Sequence, residues 1–353
     1  VRDAAEKGWN GLDFDTIEAQ AEEEANKLAE AAAASRLQRW KHQVQTDHHR
    51  LSKWITRVVL PATPMEDADE PLGPQQILEA ERGKSEALWT RAAGDPSLGA
   101  PAGEPAAQLD AASLQPTAED LERSARRLRG KARGMDGWGD ELLALPRSFW
   151  ELVAQLWGHC VCFGEVPAQW RAIKAVLIPK PEGGRRPISV ASAVWRVVAG
   201  AVAKKLRAWT QEWIAPGQCG AVPGRHAGNV HDQLHSSLRS AALDGKPLVG
   251  VKADLAKAFD SICTQQALAV AVHFGFPRSL AQVIKSFYDG QRRYLTYEGE
   301  FARTGGTRAT RGLLQGCPLS PLLLNLVTAL WCRAVARVHN GVITTVYLDD
   351  RTL

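Results

Sequence analysis

Two short apolar runs in this chain end on aspartate. LVGVKAD closes at Asp254, and GVITTVYLDD closes at Asp349 and Asp350. Successive side chains on a strand point to opposite faces, so an aspartate at the tip of a buried strand stands where the backbone leaves the core. Two such tips side by side would gather carboxylate oxygens in one place, and like charges in a shared site repel. Hard divalent cations such as Mg2+ relieve that repulsion and prefer oxygen ligands. Two metals held about 3.5–4 Å apart stabilise both the attacking and the leaving oxygen of a phosphoryl transfer. The plain alternatives are a solvent-exposed strand end for Asp254 and a hairpin turn, which favours aspartate in any case, for Asp349 and Asp350.

The rest of the chain reads as an α+β protein. Residues 16–60 and 73–92 carry helical texture, separated by Pro61, Pro64 and the acidic run MEDADE. Residues 93–117 are rich in Gly, Pro, Ala and Ser and read as a linker. Thr117 and Asp120 have the T-x-x-D form of a helix start, and helical texture returns at 141–162. AVLIP and RRPISV read as two strands joined by a Gly-Gly turn. A helix is expected over 192–214, others over 264–273 and 277–288, then paired strands around YLTYEG and FARTGG. Pro318 and Pro321 open an apolar helix before the last strand. The expected organisation is a helical connector over 1–92, the linker over 93–117, and one mixed domain over 118–353. The mixture of strands and helices without regular alternation favours α+β over α/β.

Charge divides the chain. Residues 1–120 hold 12 Lys and Arg against 22 Asp and Glu, whereas 121–353 hold 31 against 17. A basic second part suits a polyanion such as nucleic acid. Arg123, Arg126, Arg127, Arg129, Lys131 and Arg133 concentrate that charge, either as template-backbone contacts or as a solvated helix face. Apolar stretches are broken by charge or glycine before 18 residues, so no membrane span is expected. The six cysteines lack C-x2-C spacing and read as reduced and intracellular. His231 and His235 lie four apart without a second ligand pair, and a solvated helix face is expected rather than a zinc site.

VKADLAKAFDSI (251–262), GLLQGCPLSPLLLNLV (312–327) and VYLDD (346–350) resemble, in order, the three central palm motifs of reverse transcriptases. KARGMDGW (131–138) is similar to a signature ahead of the fingers in non-LTR retrotransposons. IPKPEGGRRPIS (178–189) resembles the fingers hairpin, and GQCGAVPGRHAGNVHDQL (217–234) the segment before the first palm motif. The resemblance covers about 118–353 and extends more weakly into 36–92. It implies a right-hand polymerase with fingers and an antiparallel palm sheet, preceded by a mainly helical connector. It implies RNA-directed DNA synthesis with RNA template, DNA primer and dNTPs as partners, two Mg2+ ions with Mn2+ as substitute, and work in the cytoplasm and nucleus.

The resemblance also assigns residues. Asp254, Asp349 and Asp350 would hold the metals. Phe259 falls on the sugar-selecting position, where a bulky ring collides with a ribose 2′-hydroxyl; the alternative is an ordinary core phenylalanine. Gln315 and Gly316 fall along the incoming nucleotide, Gly316 suiting close backbone approach. Tyr347 falls at the same nucleotide site. Lys180 and Arg186 would reach the triphosphate, although Arg185 adjoins and leaves the arginine open by one position. Asp260 departs from the metal role and reads as a helix cap or polar contact. Leu348 stands where non-LTR elements usually carry alanine. A viral RNA-dependent RNA polymerase is disfavoured by Tyr347-Leu348 and Phe259. The other alternative is an inactive element remnant or an RNA-binding fragment. The chain begins at Val1 and ends three residues past Asp350, as a fragment would. With so short a return strand, the carboxylates are expected to sit on a frayed edge and to support little synthesis.

Overall fold

A computed structural model describes residues 73–90, 105–180, 184–255, 257–339, 341–348 and 350–352, together with Lys27 and Gln38, both helical. The remainder of the helix expected over 16–60 lies outside the described residues. The chain divides into two compact units, 1–66 and 67–353. The last helix of the connector expected over 1–92 lies in the second unit, to which every element below belongs.

Helix α1 (Pro74–Trp89) starts on a proline, which suits a first helical position because it lacks the N–H that would be orphaned there. Residues 105–117 are not a free linker. Ala106 N donates to His273 O and Leu109 N to Gly275 O, and Leu114 is buried. Helix α2 (Ala118–Ala125) begins as expected, with Thr117 Oγ1 accepting from Asp120 N and Asp120 Oδ2 accepting from Thr117 N. Helix α3 (Arg147–Phe163) follows a short 3-10 turn and stops at Gly164, whose φ of 72° is the left-handed cap glycine tolerates.

Strands β1 (Ala172–Pro179) and β2 (Arg185–Val190) form the expected antiparallel hairpin; its turn residues 181–183 lie outside the described residues. The single helix expected over 192–214 is two, α4 (Ala193–Lys205) and α5 (Arg207–Trp213). The break falls at Leu206, whose carbonyl accepts both the amide and the hydroxyl of Thr210. Such back-bonding by threonine bends helices. Helix α6 (Ala227–Leu243) has no buried residue. Strand β3 (Lys252–Asp254), the short helix α7 (Ala258–Ser261), α8 (Thr264–His273) and α9 (Arg278–Asp289) follow. Then come β4 (Arg292–Tyr297), β5 (Glu300–Phe301), β6 (Thr307–Arg308), α10 (Ser320–Val338), β7 (Thr345–Tyr347) and β8 (Asp350–Thr352).

Two sheets organise the fold. The first runs β2-β1-β4-β5, with β6 also on β4. Its centre is a parallel pairing of β1 with β4, residue Ile173 opposite Arg293. The second is antiparallel, β3-β8-β7. The main core gathers α2–α5 and α8–α10 around Trp157, Trp170, Trp195 and Phe287. Trp195 stacks on Phe287 at 3.7 Å and 12°, with Trp157 edge-on at 6.3 Å. A smaller core lies between α1 and the first sheet, where Ile77, Leu78 and Trp89 meet Ala175, Leu177, Leu295 and Tyr297. By length and composition α10 is the one helix among the described residues apolar enough to cross a membrane. Its buried face belongs to the main core, packed on α8.

Candidate active site

The second sheet carries the carboxylates. In the β3–β8 register Asp254 stands directly opposite Asp350, so both side chains share one face with Cβ atoms about 4.5–5.5 Å apart. Both are exposed. Like charges directly opposite one another are destabilising unless a cation is near, and Lys252 Nζ lies 3.5 Å from Asp350 Oδ1. Asp349 lies outside the described residues. Among the described residues no group of three or more His, Cys, Asp or Glu converges. His231 and His235 are exposed on α6, as expected of a solvated face.

Two expectations about these strands are corrected. LVGVKAD is not a buried strand: only 252–254 are extended, all exposed, and Val249 is 84% exposed. β3 is an edge strand, and among the described residues nothing packs over its apolar approach. Conversely, the return strand after Asp349 is not a frayed edge. It begins at Asp350 and lies between β3 and β7, paired on both sides. Its backbone donors and acceptors therefore find partners on both neighbours.

The hairpin that presents Asp350 is held from behind by the segment 217–220 and by α10. β7 pairs with β8 as Tyr347 to Asp350, leaving Leu348 and Asp349 as the connection. Leu348 has φ 58°, a left-handed conformation that costs a leucine about 1–2 kcal/mol. Such strain persists only where the surroundings over-determine it. Here the segment 217–220 runs along β7, with Val346 N donating to Gly217 O and Cys219 N to Val346 O. A Cβ on Gly217 or Gly220 would meet the Thr344 carbonyl or the Leu348 amide, so only glycine allows this approach. Gln218 is fully buried; its amide donates to Asn325 O and Thr328 Oγ1 on α10, and it accepts from Ala215 N. Asn325 Nδ2 returns a bond to Gly220 O at 2.9 Å. Both residues lie inside motifs quoted above, 217–234 and 312–327, but their pairing does not show in the sequence, because the partners are more than 100 positions apart.

The residues expected to face the nucleotide lie on α7, on the loop before α10, on β7 and at the β1–β2 hairpin. Phe259 is half-buried, one side packed on the main core, and its carbonyl accepts from Leu313 N at 2.6 Å. Gln315 Nε2 lies 3.4 Å from Asp260 Oδ2. Gly316 is exposed with φ 113°, and a Cβ there would stand 2.9 Å from the Ser189 carbonyl of β2. That contact ties the loop before α10 to the fingers hairpin. Tyr347 is 37% exposed beside Asp350. On the hairpin, Arg185 lies over the Tyr297 ring at 5.0 Å, while Arg186 is exposed opposite Ile178. Of the two, Arg186 is the one whose side chain is exposed to solvent. Lys180 is half-buried, its amide bonded to Gly184 O.

Asp260 is the polar contact rather than a metal ligand. Burial raises its carboxyl above the ordinary value, partly offset by Arg293, whose Nη1 lies 3.8 Å away. Arg293 is 1% exposed; burial lowers it to about 10, which leaves it charged at neutral pH. Of the basic cluster, Arg123 pairs with Glu119 and Arg133 with Glu141. Arg127 joins Arg196, Lys204 and Arg207 around a groove of about 450 Å³. KARGMDGW serves that neighbourhood: Asp136 Oδ2 accepts from Ala193 N at the start of α4, and Arg196 donates to Ala132 O.

Opposed aspartates on a short antiparallel sheet, within a mixed α+β fold, are the arrangement of a nucleic-acid polymerase palm. Residues 178–353 match the family described as "Reverse transcriptase (RNA-dependent DNA polymerase)", and this part of the chain belongs to it. That family is generally dependent on divalent metal. The chain is 27% identical over 224 residues to a Transposon TX1 uncharacterized 149 kDa protein of Xenopus laevis, covering 60% of this chain and 16% of that one. It is 28% identical over 219 residues to a retrovirus-related Pol polyprotein from type-1 retrotransposable element R2 of Popillia japonica, covering 59% and 29%. The chain thus spans less than a third of these relatives' length. Apo telomerase from Candida tropicalis, truncated from its C-terminal domain, superposes with a TM-score of 0.40 at 16% identity, covering 59% of this chain and 49% of that one.

Proposed function

We propose that this chain is the polymerase part of a non-LTR retrotransposon protein and copies RNA into DNA. The 3′-hydroxyl oxygen of a DNA primer attacks the α-phosphorus of a dNTP paired to an RNA template, and pyrophosphate leaves. The observation that carries the reading is Asp254 set opposite Asp350, with Asp349 next in sequence. Three carboxylates are a hard-oxygen donor set of the kind Mg2+ takes, and an opposed, exposed pair fits a cation better than it fits an empty surface. Asp254, Asp349 and Asp350 would hold two Mg2+ ions, or Mn2+ in their place. When bound, the metals supply Lewis-acid stabilisation of the attacking and leaving oxygens.

The side chains do the selecting. The Phe259 ring crowds the sugar where a 2′-hydroxyl would stand. Gln315 and Gly316 lie along the nucleotide, with Tyr347 at its edge. Arg186 and Lys180 reach the triphosphate, Arg186 with a fork of donors. The groove bearing Arg127, Arg196, Lys204 and Arg207 receives template phosphates. The protein works within the cell, in cytoplasm and nucleus; six cysteines without a disulfide among them support that placement.

The test is extension of a DNA primer on an RNA template with Mg2+ and dNTPs by the 353-residue chain, alongside Asp254→Asn and Asp349→Asn. With the return strand paired on both sides, carboxylate-dependent synthesis is expected in place of the little synthesis a frayed edge would allow. Each variant should lose more than about 100-fold, since even outer-shell partners of a metal ligand are worth about 10–100-fold. No synthesis by the wild type, or synthesis that survives both substitutions, overturns the reading.

A further inference from the structure

Helix α1 lies well upstream of residues 178–353, yet its last residue reaches the nucleotide-facing motifs. Trp89 is 1% exposed, and its Nε1–H donates to Asp260 Oδ1 at 3.3 Å. The other oxygen of the same carboxylate, Oδ2, accepts from Gln315 Nε2 at 3.4 Å. One carboxylate is therefore shared between the upstream helix and the residue that lines the incoming nucleotide. Asp260 also follows Phe259 directly in the chain, so the group that fixes Asp260 fixes the ring's backbone.

Three further contacts make this a clamp rather than a chance approach. The Arg293 guanidinium stacks over the Trp89 ring at 4.9 Å and donates to the carbonyls of Arg311 and Gly312 at 3.1 and 3.0 Å. The Trp89 carbonyl accepts from Thr310 N, Arg311 N and Thr310 Oγ1. The segment 310–313 then bonds back to the Phe259 segment, Gly312 N to Ile262 O and Leu313 N to Phe259 O. Trp89 thus grips both walls of the nucleotide site at once, through a side-chain donor on one and a backbone acceptor on the other.

We propose that Trp89 is a positioning residue of the nucleotide site: by holding Asp260 it sets the Phe259 ring and the Gln315 amide, and α1 is a working part of the polymerase rather than a connector. The proposal rests on the polymerase reading above. It assigns to a residue outside the matched family region an effect on nucleotide affinity and sugar choice. A displacement of about 1 Å in a positioned group costs on the order of 100-fold in rate, so loss of one long hydrogen bond is set at roughly a tenth of that.

The experiment compares the full chain with Trp89→Phe, which keeps a ring under Arg293 and removes the N–H. Primer extension is followed with dTTP and with UTP. Expected are a rise of ~10-fold in KM for dTTP and a matching fall in deoxy-over-ribo preference, with kcat changed less than KM. Leu78→Ala is the structural control: it is fully buried in the same small core but touches neither Asp260 nor Gln315. It should lower the unfolding temperature and leave KM and sugar preference alone. If Trp89→Phe leaves KM and preference within about twofold of wild type, or if Leu78→Ala moves them equally, the proposal is overturned. Should Trp89→Phe not fold, β-(3-benzothienyl)alanine at position 89, which replaces N–H by sulfur at constant shape, carries the same test with the same outcomes. A wild-type chain that extends no primer instead refutes the polymerase reading, and this proposal falls with it.

Discussion

Substituting Gly316→Ala probes the junction between the fingers hairpin and the loop before α10. Gly316 has φ 113°, outside the regions an L-residue populates readily. Holding alanine there costs about 1–3 kcal/mol. Its Cβ would also stand 2.9 Å from the Ser189 carbonyl oxygen. That neighbour is backbone in β2 and cannot rotate away, so the loop or the strand must shift, as in an overpacked core, for about 1–3 kcal/mol more. The sum, about 2–6 kcal/mol, lowers the unfolding temperature by roughly 4–12 °C at about 2 °C per kcal/mol for a unit of this size. Gly130→Ala is the reference: φ is 67°, and no atom lies within 4 Å of the added Cβ, so only backbone strain remains. Thermal unfolding followed by circular dichroism separates the two. Extension should fall further than stability alone requires, because Gln315 moves with its neighbour. A Gly316→Ala protein that unfolds within 1 °C of Gly130→Ala, with unchanged extension, would refute the close approach and the place given to this loop.

Three other outcomes are expected. Phe259→Ala should raise ribonucleotide incorporation relative to deoxynucleotide in primer extension; an unchanged ratio would return Phe259 to the core. Trp195→Ala should cost about 3–5 kcal/mol in denaturant unfolding, since the side chain is fully buried against Phe287 and Trp157; a cost below about 1 kcal/mol would contradict that packing. Burial pushes the thiols of Cys160, Cys219 and Cys317 up, and Cys162 is exposed. A thiol reagent at pH 8 should therefore label Cys162 well ahead of those three, with peptide mapping as the readout.

Local chemistry made part of this fold legible. The Thr117–Asp120 start of α2, the β1–β2 hairpin and the helices at 264–273 and 278–289 all follow from signals within a few residues. The register that sets Asp254 opposite Asp350 belongs to the fold, since Asp350 opens β8 rather than ending the run before it. What escaped depends on partners distant in sequence. The parallel pairing of 172–176 with 292–296 has no local signature. Gln218 and Asn325 fall within quoted motifs, yet the bonds by which they lock the 217–220 segment, and β7 with it, to α10 show only in the fold. Trp89 read as the end of a connector helix, and only the fold reveals that its indole meets Asp260. The break at Leu206 needed the Thr210 hydroxyl to be seen on its carbonyl. The apolar LVGV run misled because hydrophobicity marks a buried strand only when something covers it.

The central claim is that Asp254, Asp349 and Asp350 share one metal site. Iron-mediated cleavage tests it directly. Fe2+ replaces Mg2+ in the 353-residue chain, ascorbate and peroxide generate hydroxyl radicals at the bound ion, and the cut ends are mapped. The account predicts backbone cuts near 254 and near 349–350 in the same sample, competed away by excess Mg2+ and lost at both places in Asp254→Asn. Cuts confined to one of the two segments, or cuts near 349–350 that persist undiminished in Asp254→Asn, would contradict it.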